Sequence, residues 1–598
     1  MNEKARKQGT AMIYHLFFRL LPVQVAIVAM GSINSIVDGV VAARFIDAAT
    51  VGVVGLYYTV LRILEAAGAV VLGGVSVLSG RYLGSGRIDK TRGVCTLGMS
   101  ISLLIGAVLT VFSFAAPDTI ARLLGANDAL LKPLSTYIRG YAIGIIPQLL
   151  CQQITANLQL ERKEKLGQSG VFVMIAANVL LDILFVAVMD LGVWGLALAT
   201  SLANWAYFLV IVQHYFSRHV QLMPDLSLVS PRETLPLLRI GFPNALLVAC
   251  LAARSLVINR ILLASAGSDG LSAMSSFNMV CGLILSVALG TGSLVRTLSS
   301  VFLGEDNREG LLSVIRISLT RMLAVMAAIG AAVILLSPVL ASVFFPDPST
   351  DVYRMTKELF FIYGFCAPLT LVCIVYSSYC QAGGHRLFVN LISLVDGFFS
   401  MVIPAVLLAP VMGATGIWLS FPIGLLITLA VSALYPVVRL RRIPRGAEEW
   451  LLLPEESDSR NKLVFQLHDV EDVTQTAEKV QTFCVSHGIP RKTAAHAGLC
   501  LEEIAGNIVF HGFHADRKKH MIEVRVHIRN DGVVLRIKDN CIPFNPKEWY
   551  EMASAGEDPF SNVGIRLVYA IAEEIDYQNL LGLNVLTIRL SGAWFGDN

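Results

Sequence analysis

Between Ile13 and Arg439 the chain is a succession of apolar runs, each long enough to cross a bilayer and separated by short polar punctuation. A hydrocarbon core about 30 Å thick takes roughly 20 residues of helix. Twelve such runs begin near Ile13, Gly52, Val94, Pro133, Ser169, Gly192, Leu235, Leu271, Leu312, Glu358, Leu387 and Gly413. The short turns DLGV and PVMGAT make two pairs hard to divide, so eleven or thirteen spans are the alternatives. Charge density separates this region from the rest. From Asn461 onward about 23% of residues are charged, close to the roughly 25% of a soluble domain, whereas the first 460 residues hold about 13%. This composition predicts a polytopic α-helical membrane protein with a soluble tail. The net charge of +3 divides into +7 for the membrane part and −4 for the tail, which gives no support to a nucleic-acid partner. The ten cysteines are scattered without metal-like pairs, arguing against a zinc site or disulfide framework. MNEKARKQGT runs straight into the first apolar stretch, with no cleavage pattern of a signal peptide.

Cytoplasmic loops carry an excess of Lys and Arg, and that bias sets orientation. One set of alternate loops holds Lys4, Arg6 and Lys7; Arg81, Arg87, Lys90 and Arg92; Arg162, Lys163 and Lys165; then Arg218, Arg232, Arg239, Arg308, Arg386 and Arg439 to Arg445. The other set has few basic residues. Both ends of the membrane part are therefore expected in the cytoplasm, which requires an even number of spans and favours twelve.

The two halves resemble each other. LPVQVAIVAMGSINSIVDGVVAARF aligns with FPNALLVACLAARSLVINRILLASA, GRYLGSG with SVFLGED, YAIGIIP with YGFCAPL, and LLDILF with LVDGFF. The offsets are all about 214–222 residues, some six spans, so the expectation is two parallel repeats related by an axis along the membrane normal. Two lobes around a central cleft are the natural product.

Ionisable residues within a bilayer are costly, about 2.5–3.5 kcal/mol on insertion scales, and usually face a cavity or a partner. Those that stand out in these spans are Asp38, Arg62, Glu65, Asp182, Arg254, Arg260, Arg296 and Asp396. Arg62 and Glu65, three apart, can neutralise each other on one helix. Arg260 and Arg296 are read as lying near helix ends, where they snorkel to the headgroups. Asp38 and Asp182 have no basic residue within a turn. Asn178 and Asp182 share a helix face at i, i+4, and the DLGV turn brings back the next helix, which carries Thr200. Carboxylate, amide and hydroxyl oxygens suit a hard cation or a proton, and equally suit a polar core network.

The first 440 or so residues resemble the multidrug and toxic compound extrusion (MATE) family. The stretches that carry the likeness are NSIVDGVVAARF, LSGRYLGSGR and NVLLDILF…GVWGLALATS, repeated more weakly in the second half. The resemblance implies a cation-coupling site in the N-terminal lobe at Asp38, Asn178, Asp182 and Thr200. It implies Na+ or H+ as the coupling ion and organic cations as the usual cargo. Some members keep their acids in the C-terminal lobe; here Asp38 has become Asn259, while Asp396 remains as a secondary candidate. Pro22, which lacks a backbone donor, is a candidate for bending the first helix on ion binding.

The tail follows a charged linker and reads as an α/β domain. KLVFQLHD is a strand, EDVTQTAEKVQTFCVSHG an amphipathic helix and PRKTAAHAGLCLEEIAGNIVFHGF a second helix. MIEVRVHIR and VVLRIKD flank an Asp-Gly hairpin signal. VGIRLVYAIAEEI is a third helix, and DYQNLLGLNVLTIRL a final hairpin. From Leu463 to Leu590 the tail resembles the GHKL ATPases, and among them the anti-sigma-factor serine kinases. In EEIAGNIVFHG the resemblance makes Glu503 a candidate general base and Asn507 the ligand that holds Mg2+ between ATP phosphates. In KDNCIPFNP it makes Asp539 the acceptor of the adenine amino group. In NVGIRLV it matches Gly564 and Leu567 to the end of the ATP lid, beside a helix N-terminus available to phosphate. The usual Asp-x-Gly-x-Gly is altered: Cys541 and Pro543 stand where glycines would permit close backbone approach.

The expected architecture is therefore an N-lobe of six spans over 1–220, a C-lobe of six over 221–440, a linker over 441–460 and a histidine-kinase-like, Bergerat-type α/β sandwich over 461–598. The expected function is cation-coupled export of small organic compounds across the cytoplasmic membrane, with ATP and Mg2+ in a regulatory or signalling tail. Two alternatives stand beside it. One is a membrane-anchored anti-sigma-type serine kinase with an anti-anti-sigma-like or other cytoplasmic protein as partner; the other is a lipid-linked oligosaccharide flippase.

Overall fold

The structure, a computed structural model, describes residues 13–30, 33, 48–124, 128–161, 163–217, 220–453, 461–467, 469–513, 520–529, 532–547, 550, 563–580 and 583–591. Among them the membrane part is helical throughout. Its long helices are α1 (Ile13–Met30), α2 (Ala48–Gly84), α3 (Ile88–Ala115), α4 (Asp128–Leu160), α5 (Glu164–Val188) and α6 (Gly192–Val212). The continuous element Thr234–Gly304 breaks at Gly267, whose φ of 62° and ψ of −154° lie outside the helical range, giving α7 (234–266) and α8 (268–304). A side chain would be strained there, and glycine makes the tight reversal cheap. α9 (Arg308–Phe344), α10 (Asp351–Gly383), α11 (Arg386–Met412) and α12 (Ala414–Leu440) complete the set. Each of the twelve apolar runs thus has its helix. The two ambiguous turns contain Gly192 (φ 55°) and Gly413 (φ 61°), which end one helix sharply and start the next.

The repeat is visible in the packing. α2 of the first half crosses α7 and α8 of the second at the end of the bundle rich in basic loops. Gly84 lies against the Val301 carbonyl and Gly304 against the Arg81 carbonyl, a reciprocal pair in which 81 and 84 correspond to 301 and 304. A second crossing brings Gly241 onto the Val70 carbonyl, and its counterpart sets Gly290 against Val25. Small residues allow backbones to approach closely, which drives helix association where no hydrophobic effect operates between apolar helices in lipid. The alignment of GRYLGSG with SVFLGED therefore marks a physical contact around a pseudo-two-fold axis.

The expected linker is partly built into the membrane unit, which runs to Leu453. A short helix, α13 (Ala447–Trp450), follows α12. Arg308 bonds Glu448 at 2.8 Å, the Tyr379 hydroxyl donates to the Leu451 carbonyl at 2.7 Å, and Arg442 grips Glu449 with two bonds of 2.7 Å. Arg442, with the Arg445 backbone N–H, holds the Glu449 carboxyl down at about 2. Charge in this segment serves docking as well as solvation.

The tail is an open antiparallel sheet in the order β1-β2-β3-β5-β4, formed by Lys462–Leu467, Ile522–Arg529, Gly532–Asp539, Leu583–Ser591 and Glu574–Leu580 respectively. Both expected hairpins are present, with Arg529 opposite Gly532 and Leu580 opposite Leu583. Helices α14 (Val470–Ser486), α15 (Arg491–Asn507) and α16 (Val563–Ile571) accompany the sheet. Asp469 caps α14 by accepting from the Asp472 N–H at 2.8 Å, a bond that satisfies one orphan donor of the first turn. The core is contained within the domain: Val473, Val480, Leu501, Ile504, Val524, Leu535, Ile537 and Ile588 are all at most 2% exposed. A domain with its own core of this kind can fold alone.

Candidate functional site

In the membrane unit, α5 is α-helical from Glu164 to Asp182 and then widens into a π-helical turn at Ile183–Val188. Such turns concentrate at functional positions because they re-aim side chains and loosen the backbone ladder. Asn178 and Asp182 face the interior, 1% and 0% exposed, and the Asn178 amide donates to Asp182 Oδ2 at 2.7 Å. The i, i+4 spacing accounts for that bond. α6 packs against α5 and carries Thr200, also buried, whose hydroxyl donates to the Leu196 carbonyl at 3.3 Å. Asp38 lies outside the described residues, as does the Arg62 side chain. Pro22 sits within helical backbone in α1.

The second half repeats the device with a different outcome. Asp396 lies in a π-helical turn, Val395–Phe399, at the position corresponding to Asp182. Its Oδ1 accepts from Thr428 at 3.2 Å, and Arg254 of α7 donates to its main-chain carbonyl at 3.1 Å while facing its charge. A resident guanidinium thus brings positive charge near that carboxylate, bonded to its main chain. The reading of Arg296 as a snorkelling residue is corrected. It lies in the interior of α8, and its guanidinium reaches Gln381 of α10 and Ser293, not a headgroup.

In the tail, Glu503 and Asn507 sit four apart near the end of α15, both half-buried. The Glu503 carboxylate lies against Gly564, where a Cβ at that position would collide with it. A side chain there would push the Glu503 carboxylate aside. Gly564 and Glu503 are thereby brought together, whereas Leu567, one turn on, is 37% exposed. Asp539 ends β3 and is buried. Its Oδ1 accepts from Asn584 Nδ2 at 2.7 Å and from the Cys541 N–H at 2.8 Å. Burial pushes its carboxyl up to about 6 despite those bonds. Asn584 is a residue that sequence reasoning missed. It sits directly opposite Asp539 in the β3–β5 register, so only the pairing reveals it. Its Oδ1 in turn accepts from the Tyr577 hydroxyl at 2.9 Å, and that hydroxyl accepts from the Phe544 N–H at 3.1 Å.

These residues fit an adenine nucleotide in kind. A buried carboxylate is aligned by a fixed amide, and an acid and an amide share one helix face, the acid lying against the first turn of a second helix. Asn507 makes no side-chain hydrogen bond to the described residues, and its amide oxygen would be the atom to hold Mg2+. Cys541 packs its Cβ and Sγ where Gly512 approaches, which narrows the space the missing glycines would have left open.

The comparisons with known proteins agree with this division. The chain matches MatE over residues 25–188 and 243–407, once in each half, and the histidine kinase-like ATPase domain over 467–590. Among curated proteins it is similar to the multidrug export protein MepA of Staphylococcus saprophyticus, 24% identical over 262 residues that cover 42% of this chain and 57% of that protein. MepA of Staphylococcus aureus is 22% identical over 239 residues, 39% of this chain and 53% of that protein. The chain thus spans little more than half the length of the curated relatives it matches. Among solved structures it shares its fold with a multidrug resistance MATE family transporter of the MOP superfamily in its outward-facing conformation. That match has a TM-score of 0.67 at 20% identity, covering 71% of this chain and 95% of that one. The Vibrio cholerae MATE transporter VcmN in the bent form gives a TM-score of 0.65 at 16% identity, covering 71% and 96%. Matched in both halves and sharing the fold, the chain belongs to the MatE family and carries a histidine kinase-like ATPase domain after its membrane part.

Proposed function

We propose that this protein is a cation-coupled exporter of small organic compounds whose cytoplasmic ATP-binding domain regulates transport. The observation that carries the reading is the fully buried Asn178–Asp182 pair at the start of a π-helical turn. Burial makes an ionised carboxylate expensive, so a proton or Na+ gained there changes the local energy by several kcal/mol. Entry of the ion from outside relaxes the α5 turn and alters the lobe's affinity for cargo. Rocking of one lobe against the other then exchanges access. The excess of Lys and Arg in the adjoining loops supports a cytoplasmic position for the reciprocal α2–α8 contact. Closure there corresponds to a cleft open to the outside. In the C-lobe, Arg254 already compensates Asp396, which argues for the N-lobe as the coupling site.

ATP supplies a phosphoryl group and, through Mg2+, charge for it when bound. Asp539 would accept from the adenine amino group, Asn507 would hold the metal and Glu503 would receive a proton from an attacking hydroxyl or water. The position of Glu503 against Gly564 favours a second role for the tail as a Ser/Thr kinase, since the base already stands beside the phosphate-binding helix end.

The test is transport in proteoliposomes containing the full chain, with Na+ and proton gradients imposed separately. One gradient should drive export of a cationic dye, and Asp182→Asn should abolish it while leaving the protein monodisperse. Export by that variant at the wild-type rate would remove the N-lobe site.

A further inference from the structure

Arg296 is a charge that the function above leaves unused. Its guanidinium makes two contacts, to Gln381 Oε1 and Ser293 Oγ, each at 3.4 Å, and its Nε has no hydrogen-bond partner. Both partners are neutral, and no carboxylate among the described residues pairs with it. Arg254, by contrast, has Asp396 beside it. A guanidinium has five donors in a rigid fork, and two long contacts to neutral groups leave most of them unused.

The surroundings say where this charge points. Gln381 cannot turn away, because its Nε2 donates to the Ile240 carbonyl at 2.9 Å and lies 3.5 Å from Asn244 Oδ1. Asn244 in turn donates to the Ala69 carbonyl at 3.0 Å. Arg296 of α8 is thus held in a polar network that ties α7 and α10 of the second half to α2 of the first. It sits where the lobes meet, not on the lipid face. The residue is half-buried, and its Nε is out of reach of solvent.

Two further arginines, Arg254 and Arg260, stand in α7 of the same half. Arg254 is answered by Asp396, and Arg260 is exposed on α7, which leaves Arg296 as the interior positive charge that wants an anion.

We propose that Arg296 binds the carboxylate of an amphoteric organic cargo, so that the exporter selects molecules carrying an anionic group as well as a cationic one. The planar fork of an arginine matches a carboxylate with two parallel bonds, which a simple organic cation cannot use. This inference rests on the export reading and adds the substrate class.

The experiment uses the full chain in phosphatidylcholine nanodiscs and two probes: a rhodamine with a free benzoate and the same rhodamine as its ethyl ester. Dissociation constants are read by fluorescence anisotropy. Wild type should bind the acid more tightly than the ester. Arg296→Gln should weaken the acid at least tenfold and the ester less than twofold, and Arg296→Lys should keep the acid within about fivefold of wild type. Equal losses for both dyes, or no loss for the acid, overturn the proposal while leaving export intact. Wild type binding the ester as tightly as the acid overturns it without any variant, should Arg296→Gln fail to fold. If the acid's advantage disappears when phosphatidylglycerol is added, Arg296 serves a lipid headgroup and the cargo role falls. If neither dye binds and neither gradient moves them, the export reading fails together with it.

Discussion

Replacing Asp539 by Asn should make the isolated tail more stable and less able to bind ATP, a pair of opposite effects that follows from one buried charge. The Asp539 carboxyl is pushed from 3.8 to about 6 by burial, while bonds from Asn584 and the Cys541 N–H pull the other way. A shift of that size corresponds to about 3 kcal/mol of cost for keeping the folded group ionised at pH 7. An unfolded chain releases this proton near pH 4, whereas the folded domain holds it until near pH 6. The unfolded state therefore binds fewer protons across that window, and Asp539 makes stability fall as pH rises from about 4 to about 6, then level off. Asn carries no such cost, but its two bonds become neutral ones, each weaker by roughly 0.5–1 kcal/mol. The net gain at pH 7.5 is about 1–2 kcal/mol, or a melting temperature higher by about 5 °C for a domain of this size. Purified residues 461–598 can be followed by thermal and urea unfolding at pH 4, 5.5 and 7.5. The stability difference between variant and parent should change by about 3 kcal/mol across the series. Calorimetry at pH 7.5 should show ATP binding weakened roughly ten- to a hundredfold, the loss of about 1.5–3 kcal/mol for an ionised acceptor. A variant destabilised by the same amount at pH 4 and pH 7.5 would show that the carboxylate ionises without penalty. Unchanged ATP affinity would remove Asp539 from the adenine site.

Adenosine, which has no phosphate to titrate, should bind the tail more tightly at pH 7.5 than at pH 5 as Asp539 ionises, and the Asp539→Asn variant should lose that dependence in calorimetry. Glu503→Gln should leave Mg-ATP affinity within about twofold but abolish phosphate release or transfer, measured with labelled ATP, because only the base is removed. Gly241→Val places a side chain against the Val70 carbonyl, so the α2–α7 crossing must open; a cysteine in place of the buried Ser76 of α2 should then react with a thiol reagent faster than in the parent, and an unchanged rate would count against closure at this contact. Tyr379→Phe removes the bond to the Leu451 carbonyl and should cost about 1 kcal/mol of local stability, seen as faster hydrogen exchange in residues 447–453.

The sequence by itself determined the features that depend on neighbours in the chain. Span length, loop charge and hairpin signals are local, so the twelve apolar runs and both tail hairpins are written in consecutive residues. The repeat is also legible, because Gly84 and Gly304 recur in matching surroundings and each must clear a backbone carbonyl of the other half. The i, i+4 spacing of Asn178 and Asp182 forecast their bond, since one helix supplies both groups. Tertiary structure decided the rest, wherever the partner comes from a distant part of the chain. Arg296 reads from its position as a residue near a helix end, and only the approach of Gln381 and Asn244, from two other helices, makes it an interior charge. Asp396 looks equivalent to Asp182 until α7 brings Arg254 beside it. Asn584 is an unremarkable strand residue until the β3–β5 register sets it opposite Asp539. A side chain's type can be read along the chain, but the charge or donor that answers it depends on which helices and strands pack together, and that follows from burial summed over the whole unit.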